Sequence, residues 1–180
     1  MPRCRFLFTT ALLLAAMFTL GACEEPPVPA PTSYGMGDRI RLGTLSYVVV
    51  SSQWRTQLGE GFQVRSPSNR FLVVNMSVTN GGGSSVSIPL LKLVDAEGNE
   101  YRELQDGSGL TNWMGLIRTV EPTDTLQGRL LFDVPLTSYT LEIPDIEDET
   151  LERFAAVEIP LDLQIDDVSA PLPTLEDLKR

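Results

Sequence analysis

Polar and apolar residues alternate along most of the chain after residue 38, which is the pattern of half-buried β-strands. In the clearest example, 70–80, the apolar positions 72, 74, 76 and 78 share one face, while the other face changes from apolar to polar. The same pattern predicts further strands over 38–42, 45–52, 86–94, 99–104, 128–135, 139–143 and 156–165. Several short strands separated by turn signals predict an all-β, antiparallel β-sandwich.

One stretch departs from this alternation. Leu110, Trp113, Met114 and Ile117 recur at the spacing of one helix face, which predicts at most one short helical segment at 110–117, and Gly115 weakens that prediction. We expect this segment to close one end of the core. If the four apolar side chains face solvent instead, they are the candidate partner-binding site.

Pro160 lies within the last predicted strand, 156–165. Because proline has no amide to donate to a neighbouring strand, we expect this strand at a sheet edge, at least on the side that its missing amide faces.

An acidic turn at 95–98 separates two of the predicted strands, so this region is predicted to be a β-hairpin. Asp95, Glu97 and Asn99 are two positions apart, which also makes them weak candidates for a calcium site. A hairpin needs such turn residues in any case, and the downstream glutamate of an EF-hand is missing. We therefore expect no metal here, and calcium binding through this turn or the acidic loop 145–149 remains the alternative function.

The first 22 residues have the organisation of an export signal. Arg3 and Arg5 precede an uncharged, mostly apolar run at 6–20, and small residues follow it. The four residues Leu20-Gly21-Ala22-Cys23 resemble the lipobox of bacterial lipoproteins, in which the signal is cut before the cysteine and the cysteine carries the lipid. The resemblance implies a signal peptide at 1–22 and three acyl chains, palmitate among them, on Cys23. One chain alone binds a membrane only reversibly, whereas several anchor it stably.

The segment 23–37 is rich in proline, which favours an extended tether between the lipid and a folded domain at 38–165. The remaining residues, 166–180, are acidic and without periodicity, and are predicted to be a surface tail. Glu24 is not the aspartate that the lipoprotein class associates with inner-membrane retention. We expect the outer membrane in a cell with two membranes, and otherwise the outer face of the cell membrane.

Composition limits the possible functions. The chain has 24 Asp and Glu against 14 Lys and Arg, a net charge of −10, so it repels phosphate backbones and nucleic acid is not an expected partner. It has no histidine, and its two cysteines are Cys4 in the signal and Cys23 at the lipobox. This leaves no disulfide, and it excludes histidine-based triads, cysteine nucleophiles and most transition-metal sites. We expect neither catalysis nor a cofactor.

Several motifs also carry a family resemblance. They are the strand 70–80 ending in Asn-Gly, the hairpin DAEGNEY at 95–101, GRLLFDVP at 128–135 and the closing strand 157–163. These resemble the bacterial immunoglobulin-like domain family of unknown function numbered four-three-five-two, which commonly follows a lipoprotein signal and a linker. The similarity covers about 38–165, with EPTD at 121–124 where the family commonly has a Pro-Gly turn. It implies an immunoglobulin-like sandwich and carries over no functional residue.

Together these observations predict a lipid-anchored cell-envelope protein. Its non-catalytic immunoglobulin-like domain would serve a structural role or bind an unknown protein partner in the envelope.

Overall fold

Eleven β-strands occupy the residues that the computed structural model describes, which are 32–59, 62, 64–148 and 153–163. They are β1 (Thr32–Tyr34), β2 (Arg39–Leu42), β3 (Leu45–Arg55), β4 (Arg70–Asn80), β5 (Val86–Ser87), β6 (Lys92–Val94), β7 (Glu100–Arg102), β8 (Thr119–Val120), β9 (Thr125–Val134), β10 (Tyr139–Pro144) and β11 (Phe154–Ile159). No α-helix occurs within these ranges. The predicted all-β class is confirmed.

The strands form two main sheets and a short ribbon. One sheet has the order β1-β11-β10-β6-β7, the other has the order β2-β3-β4-β9, and β5 pairs with β8. All pairs are antiparallel except β1 with β11. The orders β11-β10-β6-β7 and β3-β4-β9 correspond to the G-F-C-C′ and A-B-E arrangements of an immunoglobulin-like sandwich.

The alternation along β4 explains how the sheets pack. Leu72, Val74, Met76 and Val78 are buried in the main core, which also receives Leu141 and Val157 from the five-stranded sheet. Burial of each such side chain contributes about 1.5–3 kcal/mol.

A second, smaller core lies on the outer face of the four-stranded sheet. It contains Phe71 and Val73 of β4, Leu131 of β9, and Leu58 and Leu110 from loops. Because these loops cover only part of the outer face, β4 is buried on both sides over its first residues and on one side beyond them. The change from apolar to polar on this face of β4 reflects that partial cover.

The predicted helical segment at 110–117 is wrong. The chain there forms turns and a single bridge between Trp113 and Arg129. Gly109, Asn112 and Gly115 all have positive φ, with values of 83°, 56° and 75°. A right-handed helix cannot contain these conformations, so the apolar residues at helical spacing do not lie on one face of a helix.

The edge placement of the last strand is also wrong. β11 ends at Ile159 and has neighbours on both sides, β1 and β10. Pro160 follows the strand instead of interrupting it, so its missing amide costs the sheet nothing. Leu161 and Leu163 beyond it are exposed, and Ile165 lies outside the described residues.

Two predicted boundaries differ from the structure. β1 falls within the predicted tether, so the folded domain includes Thr32–Tyr34 as well as the strands after residue 38. The predicted strand 86–94 is divided, because Val86–Ser87 pairs with β8 while Lys92–Val94 pairs with β7 and β10. The hairpin predicted around 95–98 is confirmed by the pairing of β6 with β7.

Candidate functional site

The Asp95 carboxylate closes the hairpin between β6 and β7. Its Oδ1 accepts hydrogen bonds from the backbone amides of Glu97 and Asn99, at 3.0 and 2.8 Å. Its Oδ2 accepts from Asn99 Nδ2 and Tyr101 Oη, at 2.8 and 3.0 Å. Hydrogen bonds from Asn99 are the main reason that the pKa of Asp95 is lowered. All four contacts lie within this hairpin, so the carboxylate has a structural role.

The three calcium candidates therefore lie close together, but they do not form a set of ligands that is free to bind a metal ion. Asp95 and Asn99 bind each other, and Glu97 is exposed. A cation at this turn would have to break the bonds that close the hairpin. Within the described residues, no group of three or more acidic or cysteine side chains is arranged to hold a metal ion.

The acidic loop after β10 is likewise internally bonded. Asp145 is buried, its Oδ2 accepts from Arg153 Nη2 at 2.8 Å, and its Oδ1 accepts from the Glu147 amide at 3.1 Å. Glu147 in turn accepts from the Thr44 amide at 2.9 Å, which joins this loop to the β2–β3 turn. Residue 149 lies outside the described residues.

The four candidate partner-binding residues do not form one exposed surface. Leu110 and Met114 are buried, Trp113 is half-buried, and Ile117 is 95% exposed. Leu110 packs in the smaller core and Met114 in the main core. Ile117 alone of the four is available to a partner. Cys23, the candidate lipidation site, lies outside the described residues.

A buried ion pair, which sequence reasoning missed, lies at the ribbon end of the main core. Arg118 Nη2 donates to Glu103 Oε1 at 2.6 Å, and the two side chains are 0% and 1% exposed. Glu103 Oε1 also accepts from the Leu91 amide at 2.6 Å, and Arg118 Nη2 donates to the Pro89 carbonyl at 3.2 Å. Burial raises the pKa of Glu103 against the opposing effects of Arg118 and the Leu91 amide.

Two buried polar atoms near this pair, Arg118 Nε and Tyr47 Oη, have no hydrogen-bond partner in the part of the chain that the structure describes. Burial raises the pKa of Tyr47, and the Arg118 charge acts in the opposite direction. The position of Arg118 was the one indication of this cluster in the sequence. Arg118 lies two positions before the buried Val120, and so shares a face with Val120 in an extended segment.

A groove of about 660 Å³ lies at one end of the five-stranded sheet. Met36, Tyr139 and Ile159 give it an apolar lining, and its two carboxylates belong to Asp95 and Glu158. Glu158 accepts from Ser33 Oγ at 2.8 Å, and Asp95 closes its own hairpin. Both carboxylates are thus bonded within the domain.

The part of the chain that the structure describes contains no helix with the length and apolar character needed to span a membrane.

The fold places the domain in the class of immunoglobulin-like β-sandwiches. Its polar groups mostly form hydrogen bonds that close its own turns and loops. The family model described as a domain of unknown function, DUF4352, matches residues 34–151. This match spans more than half of the chain, so the chain belongs to the DUF4352 family. The resemblance seen in the sequence motifs is confirmed for the domain. No curated protein matches the chain.

Three solved structures illustrate the shared fold. The yjhA protein from Bacillus subtilis is 15% identical, with coverage of 70% of this chain and 98% of that chain and a TM-score of 0.56. The secreted protein MPT63 from Mycobacterium tuberculosis is 17% identical, with coverage of 74% and 99% and a TM-score of 0.51. The B. subtilis protein ycdA, named as a candidate lipoprotein, is 16% identical, with coverage of 71% and 40% and a TM-score of 0.52.

Proposed function

We propose that the chain is a lipid-anchored protein of the cell envelope whose non-catalytic immunoglobulin-like domain binds a protein partner. The observation that carries the anchor is Cys23, directly after an apolar run and at the end of Leu20-Gly21-Ala22-Cys23. Secreted and candidate-lipoprotein relatives are compatible with this location, although identities of 17% and 16% support a shared fold alone. In a cell with two membranes, Glu24 favours the outer one.

Metabolic labelling with an alkyne palmitate analogue tests the anchor. The full chain is expected to carry label and to sediment with membranes, and Cys23→Ala is expected to lose both properties. Cys4→Ala is the matched control, because Cys4 lies in the predicted signal and should not be acylated. Equal labelling of the Cys23→Ala chain would exclude the lipobox interpretation.

The partner-binding part of the proposal rests on exposed apolar side chains next to the β5–β8 ribbon. Ile117 is 95% exposed, and Leu90 and Leu116 are 46% and 37% exposed. Leu90 follows β5, and Leu116 and Ile117 precede β8. The hydrogen bond from the Ile88 amide to the Arg118 carbonyl brings these two segments side by side. Exposed apolar side chains on adjoining segments are typical of surfaces that bind other proteins.

Photo-crosslinking in intact cells tests this surface directly. A photoreactive phenylalanine analogue at Ile117 is expected to give a discrete protein adduct. The same analogue at Glu97, an exposed position on the hairpin turn, should give none. Absence of an adduct at Ile117, or the same adduct at Glu97, would contradict the proposed surface while leaving the lipid anchor unaffected.

The alternative, calcium binding, has no supporting geometry in the described residues, because the carboxylates of Asp95, Asp145 and Glu147 accept hydrogen bonds within the domain. An unchanged thermal unfolding midpoint in millimolar calcium is the expected result. A rise in that midpoint would favour the alternative.

A further inference from the structure

The outer face of the four-stranded sheet has an uncovered polar end. Along β4 and β9 the apolar pair Val73–Leu131 is followed by the polar pairs Asn75–Arg129 and Ser77–Gln127. A groove of about 390 Å³ lies over this polar end. The bulge in β3 leaves Val50 unpaired at the side of the groove, where it is exposed.

A chain of hydrogen bonds holds one arginine in this groove. Ser51 Oγ accepts from Asn75 Nδ2 at 2.7 Å, and Asn75 Oδ1 accepts from Arg129 Nε at 2.9 Å. Arg129 Nη1 donates to Thr111 Oγ1 at 2.9 Å. The chemistry fixes the orientation of the Asn75 amide, because a guanidinium can only donate and must face the amide oxygen. Arg129 is thus fixed from both sides before any ligand arrives.

The charge of Arg129 is not neutralised by the domain. Its two side-chain partners, Asn75 and Thr111, are neutral, and it forms no ion pair with the described residues. The buried Arg118, by contrast, is paired with Glu103. A guanidinium has five N–H donors, and the two hydrogen bonds of Arg129 use two of them. Arg129 is therefore a half-buried, fixed guanidinium without an ion pair among the described residues, in a chain with a net charge of −10.

We propose that this groove binds a carboxylate group, which accepts hydrogen bonds from the remaining N–H donors of Arg129. The planar fork of a guanidinium matches the two oxygens of a carboxylate. A single arginine balances one negative charge, so a monoanionic carboxylate fits an acidic domain better than a dianionic phosphate does. The polar residues Ser77, Asn112 and Gln127 line the same groove, and Val50 adds an apolar residue to its lining. This site does not depend on the lipid anchor or on the surface at Ile117.

The carboxylate has two possible sources, a small organic acid or an acidic side chain of a peptide. Butyrate serves as the probe for the first. A capped peptide with one glutamate serves for the second, with its glutamine counterpart as the control. The peptide binding more tightly than butyrate would identify a protein segment as the ligand, and the reverse order would identify a small acid.

Nuclear magnetic resonance of the full chain, labelled uniformly on nitrogen, measures binding. The Arg129 Nε–H signal reports it in the unaltered chain, and the backbone amide signals of Ser77 and Gln127, which line the groove, report it in every variant. Butyrate is expected to shift these signals saturably at constant ionic strength, whereas butyramide should not. Arg129→Gln should abolish saturable binding, and Asn75→Ala should weaken it about tenfold because the guanidinium is no longer held. Arg55→Gln is the matched control, because Arg55 is exposed and lies outside the groove.

The backbone amide spectrum of each variant shows whether the fold is retained, so a loss of binding can be separated from a loss of structure. A shift of Arg129 that stays linear in butyrate and peptide concentration would overturn the proposal. Saturable binding that persists in a folded Arg129→Gln variant would also overturn it.

Discussion

The Arg118 guanidinium and the Glu103 carboxylate meet at 2.6 Å between the β5–β8 ribbon and the main core, with neither side chain more than 1% exposed. Glu103 is also bonded to the Leu91 amide, so the pair joins three separate chain segments. Removal of one partner leaves an uncompensated buried charge. Replacing one partner is therefore expected to lower the free energy of unfolding more than replacing both.

Arg118→Met is expected to destabilise the domain by about 3–5 kcal/mol at neutral pH, because Glu103 loses its counter-charge. The double variant Arg118→Met, Glu103→Leu should lose clearly less, since no buried charge remains. Urea unfolding measures both. Lys92→Met is the control, because the Lys92 pairs with Glu100 and Glu142 are partly exposed and should cost about 1 kcal/mol or less. A double variant as unstable as the single one would contradict this account of the pair.

The same pair gives a pH prediction. Burial raises the pKa of Glu103 above its ordinary value of 4.5, so the unfolded chain releases this proton at a lower pH than the folded chain does. The contribution of Glu103 to stability is therefore greatest below pH 4.5 and falls as the pH rises towards the raised pKa. Glu103→Gln removes that contribution. The free energy of unfolding of the two proteins, compared from about pH 4 to about pH 8, should show a steeper decline in the unaltered chain. Parallel pH profiles would exclude a raised pKa.

The hydrophobic pattern of the sequence predicted part of this structure. It predicted β4 with its bounds, because alternation over eleven residues has one interpretation. It did not predict that Arg118 and Asn80 are buried, because polar residues are assigned outward unless their partners are known, and those partners are distant in sequence. The Arg129 groove was missed for the same reason, since Asn75 and Thr111 meet Arg129 only in the folded sheet.

Asn80 is expected to be essential for the turn after β4. It is fully buried, and its Nδ2 donates to the carbonyls of Ser84 and Val120, at 2.8 and 2.9 Å. Its Oδ1 accepts from the Gly82 amide at 2.8 Å. Asn80→Ala should destabilise the domain by about 2–4 kcal/mol, because the buried Val120 carbonyl and two partly buried backbone groups lose their partner.

Thermal and urea unfolding measure the effect of Asn80→Ala. Asn69→Ala is the control, since Asn69 is exposed and only its backbone amide is bonded, to Asp133. Similar losses in the two variants would show that the Asn80 side chain does not hold this turn together.

Gly128 is required where Met114 crosses β9. A Cβ at Gly128 would overlap Met114 Cγ and would lie 3.0 Å from the Asn112 carbonyl oxygen. The backbone contact cannot be relieved by a rotamer change, so Gly128→Ala should cost about 1–3 kcal/mol. Gly83→Ala is the matched control, because nothing lies within 4 Å of a Cβ there. Equal unfolding midpoints for the two variants would contradict close packing at Gly128.

Thr123 adopts a backbone conformation that glycine occupies more readily than threonine does. It follows Pro122 and has a φ of 62°, in the left-handed region that β-branched residues rarely occupy. The turn is closed by a hydrogen bond from the Asp124 amide to the Glu121 carbonyl at 3.1 Å. The turn therefore forms without a glycine, at the cost of backbone strain at Thr123.

Thr123→Gly should stabilise the domain by about 0.5 kcal/mol, because relief of strain exceeds the entropy that glycine adds to the unfolded chain. Asn112→Gly is the control. Asn112 has a similar φ of 56°, but asparagine tolerates this region, so the gain there should be smaller or absent. Urea unfolding measures the stability of both variants. A larger gain for Thr123→Gly than for Asn112→Gly would show that the substitution relieves backbone strain at Thr123. A loss of stability in Thr123→Gly would mean that the threonine side chain contributes more to the turn than its backbone strain costs.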